Sequence, residues 1–267
     1  MKPIFTFKCC VLLSILFISV PLFAQVGINT TTPNGILDVN SSNTGVVLPR
    51  VALTATNVMA PAINPKTGVT NIPAGTVVYN TNNTTNGVND VYKGIYVWNG
   101  TRWINQFPLK HSEIFKQTGH ERTRSNQGYK NIDNLVNKTF KAKYSGTYKI
   151  ELSVNYGGGY VDSNYDINVA TQKGNFRLTY ESESGTKNKI IPAKAISTDG
   201  NTQFYLIWEQ HKVVYYETLR AGQEYDFSLK FDQSDSPEFV GNGNSGSGLG
   251  YIGYDIPCSV EFTYLGS

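Results

Sequence analysis

Three histidines, His111, His120 and His211, are the only imidazoles in the 267 residues, and none has a second His or Cys at metal-ligand spacing. Glu209-Gln210-His211 lacks the paired histidines of a helical metalloprotease motif, and no Gly-x-Ser-x-Gly elbow offers an activated serine. Glu181 and Glu183 fall on one face of an expected strand, an arrangement that could evoke the two carboxylates of a glycosidase. Acids that share a polar sheet surface are usually just solvated, and nothing else in the sequence shapes these two into a site. Asp162 with Asp166, and Asp232 with Asp235, offer oxygen ligands to Ca²⁺, but neither pair has the Gly and Glu positions of an EF-hand loop. The plainer reading of each is a turn-forming Asp. Cys258 alternates with apolar neighbours and reads as a buried small hydrophobe rather than a reactive thiol. The inventory therefore predicts no catalytic residue, no metal site and no cofactor.

One group of residues could bind a ligand by stacking. Gly94-Ile95-Tyr96-Val97-Trp98 runs into Asn99-Gly100 and then Thr101-Arg102-Trp103-Ile104. Asn-Gly favours a two-residue type I′ hairpin turn, because both residues must take positive φ. That turn would pair Trp98 with Thr101, Val97 with Arg102, Tyr96 with Trp103 and Ile95 with Ile104. Tyr96, Trp98 and Trp103 then share one face, and three exposed rings there would suit sugar stacking. The competing reading is that they pack on the rest of their own segment or on a neighbouring subunit, since rings dominate cores and interfaces.

The elements that must position these residues are strands. From Tyr148 to Tyr156 apolar side chains occupy every second position, with Thr147, Lys149, Glu151, Ser153 and Asn155 between them. A period of two means one dry face and one wet face, one wall of an antiparallel sandwich. Burying Tyr148, Ile150, Leu152 and Val154 contributes ~6–12 kcal/mol as an upper bound. The same alternation recurs at Phe176, Leu178 and Tyr180, at Tyr225, Phe227, Leu229 and Phe231, and at Cys258, Val260, Phe262 and Tyr264. A first strand is expected over 113–116 and another over 139–143, while 120–130 reads as a polar loop. Two runs, Phe204-Tyr205-Leu206-Ile207-Trp208 and Val213-Val214-Tyr215-Tyr216, are apolar on both faces. With the sandwich supplying one cover, a subunit contact is expected to supply the other. No helical period of useful length appears, so the fold class is all-β: an antiparallel jelly-roll sandwich preceded by a segment of short strands.

Composition bounds the compartment. Met1-Lys2, Lys8 and an apolar run from Cys9 to Phe23 ending at Ala24 describe a signal peptide over 1–24. The run is short for a membrane span and is interrupted by Pro21. Cys9 and Cys10 stand at its start, whereas a lipid-attachment cysteine would follow it. Removing Lys2 and Lys8 leaves 21 basic against 20 acidic residues, a net charge of +1 that argues against nucleic acid or an anionic membrane surface as partner. Of three cysteines only Cys258 would remain, so no internal disulfide forms and the chain relies on its core or on neighbouring copies. Residues 25–108 are short runs among Asn, Thr, Gly and Pro with little to bury, whereas 109–267 carries the long alternating strands.

Four blocks of the first segment, VGINTTTPNGILDV (26–39), GVVLPRVAL (45–53), PAGTVVYNT (73–81) and GIYVWNGTRW (94–103), resemble the N-terminal region of many secreted Gram-negative bacterial surface proteins, a stalk like that of a phage tail fibre. The second segment is similar to the C1q/tumour-necrosis-factor jelly-roll superfamily in FKAKYSGTYKIELSVNY (140–156), FRLTYESESGTKNK (176–189), LRAGQEYDFSLKF (219–231) and SVEFTYLG (259–266), departing from it at the glycine-rich insertion 241–250. The resemblance implies a compact homotrimeric head that binds an extracellular protein or glycan through loops, displayed without enzymatic activity at or outside the cell surface as an adhesin-like module. The alternatives are a monomeric carbohydrate-binding or glycoside-hydrolysing jelly roll and a purely structural component of an extracellular layer.

Overall fold

The computed structural model describes residues 25–164, 169–200 and 203–266, without the side chains of 199, 200 and 203–207. The expected signal peptide, Asp166 and the side chains of Phe204, Tyr205, Leu206 and Ile207 lie outside the described residues. The chain divides into two compact units, one ending at Leu48 and one spanning Pro49–Ser267.

In the first unit, β1 (Val26–Ile28) and β2 (Leu37–Val39) pair in parallel, Val26 opposite Leu37 and Ile28 opposite Val39. The connection between them is closed by the Val26 N–H on the Ile36 carbonyl (2.8 Å) and the Asn34 N–H on the Asp38 carboxylate (2.9 Å). Six-residue ladders of this kind have no interior.

The second unit begins with a four-stranded sheet in the order β3 (Arg50–Val51), β4 (Val77–Asn80), β5 (Gly94–Trp98) and β6 (Trp103–Asn105). Leu53, Ala62, Ile72, Val78 and Val91 pack beneath it with the three hairpin rings. Asn80 is fully buried and ties the segment together. Its Oδ1 accepts from the N–H groups of Leu53 (3.0 Å) and Asn82 (3.1 Å), and its Nδ2 donates to the carbonyls of Asn82 (2.9 Å) and Tyr92 (2.8 Å). A segment short of apolar residues is thus held by a polar hub whose hydrogen-bonding capacity is filled.

The remaining chain forms β7 (Ser112–Lys116), β8 (Glu121–Thr123), β9 (Lys130–Asn131), β10 (Lys138–Lys141), β11 (Gly146–Gly157), β12 (Val169–Ser182), β13 (Gly185–Gly200), β14 (Gln203–Ile207), β15 (Glu209–Leu219), β16 (Glu224–Gln233), β17 (Gly250–Ile252) and β18 (Ser259–Gly266). One sheet runs β10-β16-β12-β13-β14, with β9 continuing along β16. In the other, β15 flanks β11 on one side, and β18 followed by β17 flank it on the other, with β7 and β8 outermost. All these pairs are antiparallel, and the two sheets face each other as a jelly-roll sandwich.

The expected alternation is the observed one. Tyr148, Ile150, Leu152, Val154 and Tyr156 point inward with Phe176, Leu178, Tyr180, Phe227, Leu229, Phe231, Val260 and Phe262 in one continuous core. Asn155 departs from the expected wet face and is buried, where its Nδ2 donates to the Ile256 carbonyl (3.3 Å). The segment 120–130, expected as a loop, contributes β8 and β9, because edge pairing to β17 and β16 is available to it.

Candidate self-association surfaces and a basic cleft

Within the first unit, Val26, Ile28, Ile36, Leu37, Val39, Val46 and Val47 are all solvent-exposed, Ile36 at 82% and Val47 at 75%, and none belongs to a core cluster. Apolar side chains that the chain does not cover mark a surface for another chain. On the jelly-roll sandwich, the outward face of β15 presents Val214 and Tyr216, the latter 62% exposed, while Val213 and Tyr215 on its other face are packed against the core. In register across β11 and β18, Val214 lies in line with Glu151, Glu261 and the exposed Ile114. Lys149 (2.9 Å) and Lys212 (2.5 Å) both pair with the Glu151 carboxylate, and these two lysines hold it below the usual glutamate range. The face is thus an ion-pair network edged by apolar side chains.

The hairpin corrects its expected register. Trp98 pairs with Trp103, Val97 with Ile104 and Tyr96 with Asn105, so that four residues rather than two form the connection. The cause is the Asn99 side chain, whose Oδ1 accepts from the N–H groups of Thr101 (2.9 Å) and Arg102 (2.8 Å) and stretches the turn. Tyr96, Trp98 and Trp103 do share a face, and it is an inward one. Each is at most 3% exposed, Trp98 meets Trp103 edge-on at 5.4 Å, and the Trp103 indole N–H donates to the Val58 carbonyl (2.9 Å). Rings so enclosed leave no face on which a sugar could stack.

This segment meets the jelly-roll sandwich through a joint that no motif announced. The Asp90 carboxylate, itself buried, accepts from the Ser145 hydroxyl (2.5 Å), and the Ser145 N–H donates to the Tyr92 hydroxyl (3.0 Å). Tyr92 packs edge-on to Tyr144 at 4.9 Å, and burial pushes its hydroxyl up to about 12.

The remaining sequence candidates stay apart. His111 stacks on Phe140, His120 packs at a tilt against Tyr254 (4.1 Å), and His211 lies 3.6 Å from Glu209. Glu183 sits in the turn after β12, paired with Arg220 (2.8 Å) and accepting from the Tyr225 hydroxyl (2.5 Å), whereas Glu181 accepts from the Asp226 N–H (3.3 Å). Asp162 caps its own turn through Asn164 (3.0 Å). Among the described residues, no three His, Cys, Asp or Glu side chains converge on a point where a metal could sit. Cys258 is fully buried, and burial pushes its thiol up to about 12, so it is not a poised nucleophile.

A cleft of about 570 Å³ opens where the sequence promised only a polar loop, lined by Arg122, Arg124, Asn126, Lys130, Asn244 and Leu249 among others. One wall is the glycine-rich insertion, fixed by two buried glutamines. Gln172 donates to the Gly248 carbonyl (3.0 Å) and accepts from the Gly159 N–H (2.8 Å). Gln233 donates to the Gly243 carbonyl (2.8 Å) and accepts from the Gly250 N–H (3.1 Å). The basic character was legible only as scattered Arg and Lys, since the cleft forms from segments more than 100 positions apart.

With this geometry in hand, comparison with known proteins is informative in one region. The family model described as a phage tail like trimerisation region matches residues 27–119, about a third of the chain. That match supports self-association. No curated protein matches the sequence. Among solved structures, the T13 particle of infectious bursal disease virus aligns with 62% of this chain and 33% of its own at 8% identity and a TM-score of 0.31. This chain thus spans about a third of the viral chain's length. Eiger TNF from S. frugiperda aligns over 60% of this chain and 95% of its own (6% identity, TM-score 0.26), and the globular domain of zebrafish complement 1qA over 60% and 100% (10% identity, TM-score 0.26).

Proposed function

We propose that the chain is a secreted, non-enzymatic recognition protein of a Gram-negative cell surface, in which a homotrimeric stalk over 25–108 displays jelly-roll heads over 109–267. One observation carries the reading: seven aliphatic side chains between Val26 and Val47 are uncovered in a unit whose described residues form no core. Burying each at about 25 cal/mol per Å² in a neighbouring copy supplies the stability that the single chain lacks. The trimerisation-region match over 27–119 supports the same assembly, and the apolar edge formed by Val214 and Tyr216 gives the heads a second place to meet. Three joined heads offset weak single-site binding by avidity.

Light scattering on the eluting peak of residues 25–267 tests the assembly. Three chain masses are expected, and a single chain mass at micromolar concentration overturns it. Expression of the full chain tests secretion: the released protein should begin at Gln25. A chromogenic glycoside panel should show no turnover, and turnover that disappears in Glu181→Gln would replace this reading with a hydrolase.

A further inference from the structure

Arg122 connects two features of the head. On one side its guanidinium donates to the Leu249 carbonyl (2.8 Å) and lies 3.9 Å from the centre of the Tyr251 ring. Tyr251 meets Tyr254 edge-on at 4.8 Å, and Trp208 lies nearly parallel to Tyr254, 6.0 Å away. These three rings are only partly buried, unlike the enclosed rings of the hairpin. On the other side Arg122 lines the basic cleft. The cations there are not equivalent. Arg122 is committed to the insertion, and Lys130 to the Glu121 carboxylate (2.5 Å) and the Arg122 carbonyl (2.9 Å). Arg124 is exposed, and no hydrogen bond or ion pair engages its side chain among the described residues.

We propose that this end of the head is a subsite for an acidic saccharide, with Arg124 as the carboxylate-binding group and the Trp208–Tyr251–Tyr254 cluster as the apolar platform for the adjoining sugar ring. The proposal rests on the recognition reading and specifies its ligand class. A guanidinium fork matches a carboxylate in bidentate geometry, and a free one needs no existing ion pair to be broken. The amides of Asn126 and Asn244 line the same cleft and suit sugar hydroxyls, which are both donors and acceptors. The rings adjoin the cleft through Arg122, which lines it and packs on Tyr251, and partly exposed rings near convergent polar groups are the usual composition of a small-ligand site. The walls are preorganised, because Gln172 and Gln233 anchor the insertion through the chain's own hydrogen bonds.

Calorimetric titration of the full secreted chain with tetragalacturonate, and separately with its neutral counterpart galactotetraose, tests this. The acidic tetrasaccharide should bind at least about tenfold more tightly than the neutral one, a difference of about 1.4 kcal/mol. Arg124→Glu should weaken it by at least about tenfold, and Trp208→Ala should weaken both sugars. Lys66→Glu, an exposed stalk position with the same charge change, should alter neither. Equal affinities for the two sugars, unchanged binding in Arg124→Glu, or inorganic sulfate competing as well per charge as the tetrasaccharide would each overturn the proposal. Light scattering in the same buffer keeps the two readings separate. A trimer that ignores the acidic probe sinks the subsite alone; a monomer that binds it sinks the displayed assembly alone.

Discussion

His111 carries the clearest pH signature of any single residue. Its Nδ1 accepts from the Tyr148 hydroxyl (3.1 Å) and the Lys143 N–H (3.4 Å), and its ring stacks on Phe140. Burial lowers its pKa below 6.5, opposed by the Glu113 carboxylate and assisted by Lys143. The folded state therefore holds the neutral ring, and its contribution is intact above about pH 6.5. It is lost as pH falls from there through the depressed folded value, because the unfolded chain takes up the proton first. The thermal midpoint should fall between pH 7.5 and pH 5.5, and His111→Phe, which keeps a stacking ring, should shrink that fall. An undiminished fall in the variant counts against the assignment. Asn80 makes a second test at this scale. Asn80→Ala strands buried backbone groups at about 1–3 kcal/mol each and should lower stability by several kcal/mol in denaturant unfolding. A loss under about 1 kcal/mol would mean that the hub is dispensable. In the sequence this residue is punctuation between short runs. Its role was not legible because an asparagine that turns the chain at the surface and one that knits it together in the interior have the same local pattern.

Elements were legible where one face is dry. The alternation of β11, β16 and β18 survives in the fold because a one-residue slip would bury Lys149 or Glu261. β8 and β9 were not legible, since Glu121-Arg122-Thr123 and Lys130-Asn131 are polar strands that exist only through the partners to which they pair. The middle of β13 contains Pro192, a residue that ordinarily argues against a strand. It is tolerated because β14 pairs only with 196–200, leaving the edge at Pro192 without a second strand among the described residues. The glycine-rich insertion 241–250 reads as flexible by composition, yet Gly241 and Asn242 sit in left-handed turns with φ of 59° and 56°, and the chain approaches too closely at Gly159 to admit a side chain. A Cβ on Gly159 would overlap the Gly248 backbone. Gly159→Ala should therefore destabilise the head by at least about 1–3 kcal/mol, and Gln172→Ala by a similar amount through two lost buried hydrogen bonds. Hydrogen exchange should then rise at 241–250 before it rises in β11. Uniform protection in Gln172→Ala would show that the insertion is held by something other than its glutamine anchors.

At the scale of the molecule the question is which of the uncovered apolar surfaces holds the copies together. The long strands bury a continuous core within one chain, so the head has the means to fold alone, whereas the unit ending at Leu48 has exposed aliphatics and a three-residue parallel ladder. Assembly and folding are then coupled in the first unit and separable in the second. Two charge substitutions distinguish the contributions. Leu37→Asp places a carboxylate among the aliphatics of β2, and Tyr216→Lys places a cation on the outward face of β15; both positions are exposed in the single chain, so neither disturbs a packed core. Leu37→Asp should shift the light-scattering mass toward one chain at micromolar concentration. Tyr216→Lys, acting on a face already lined by ion pairs, should weaken the assembly less, by about tenfold or below in midpoint concentration. In the unsubstituted protein a tenfold dilution should lower the thermal midpoint of the first transition more than that of the head, because the former buries most of the surface between chains. A midpoint independent of concentration in both transitions would mean that the aliphatics of 26–47 are covered by nothing in solution, and the displayed-trimer reading would fall with it.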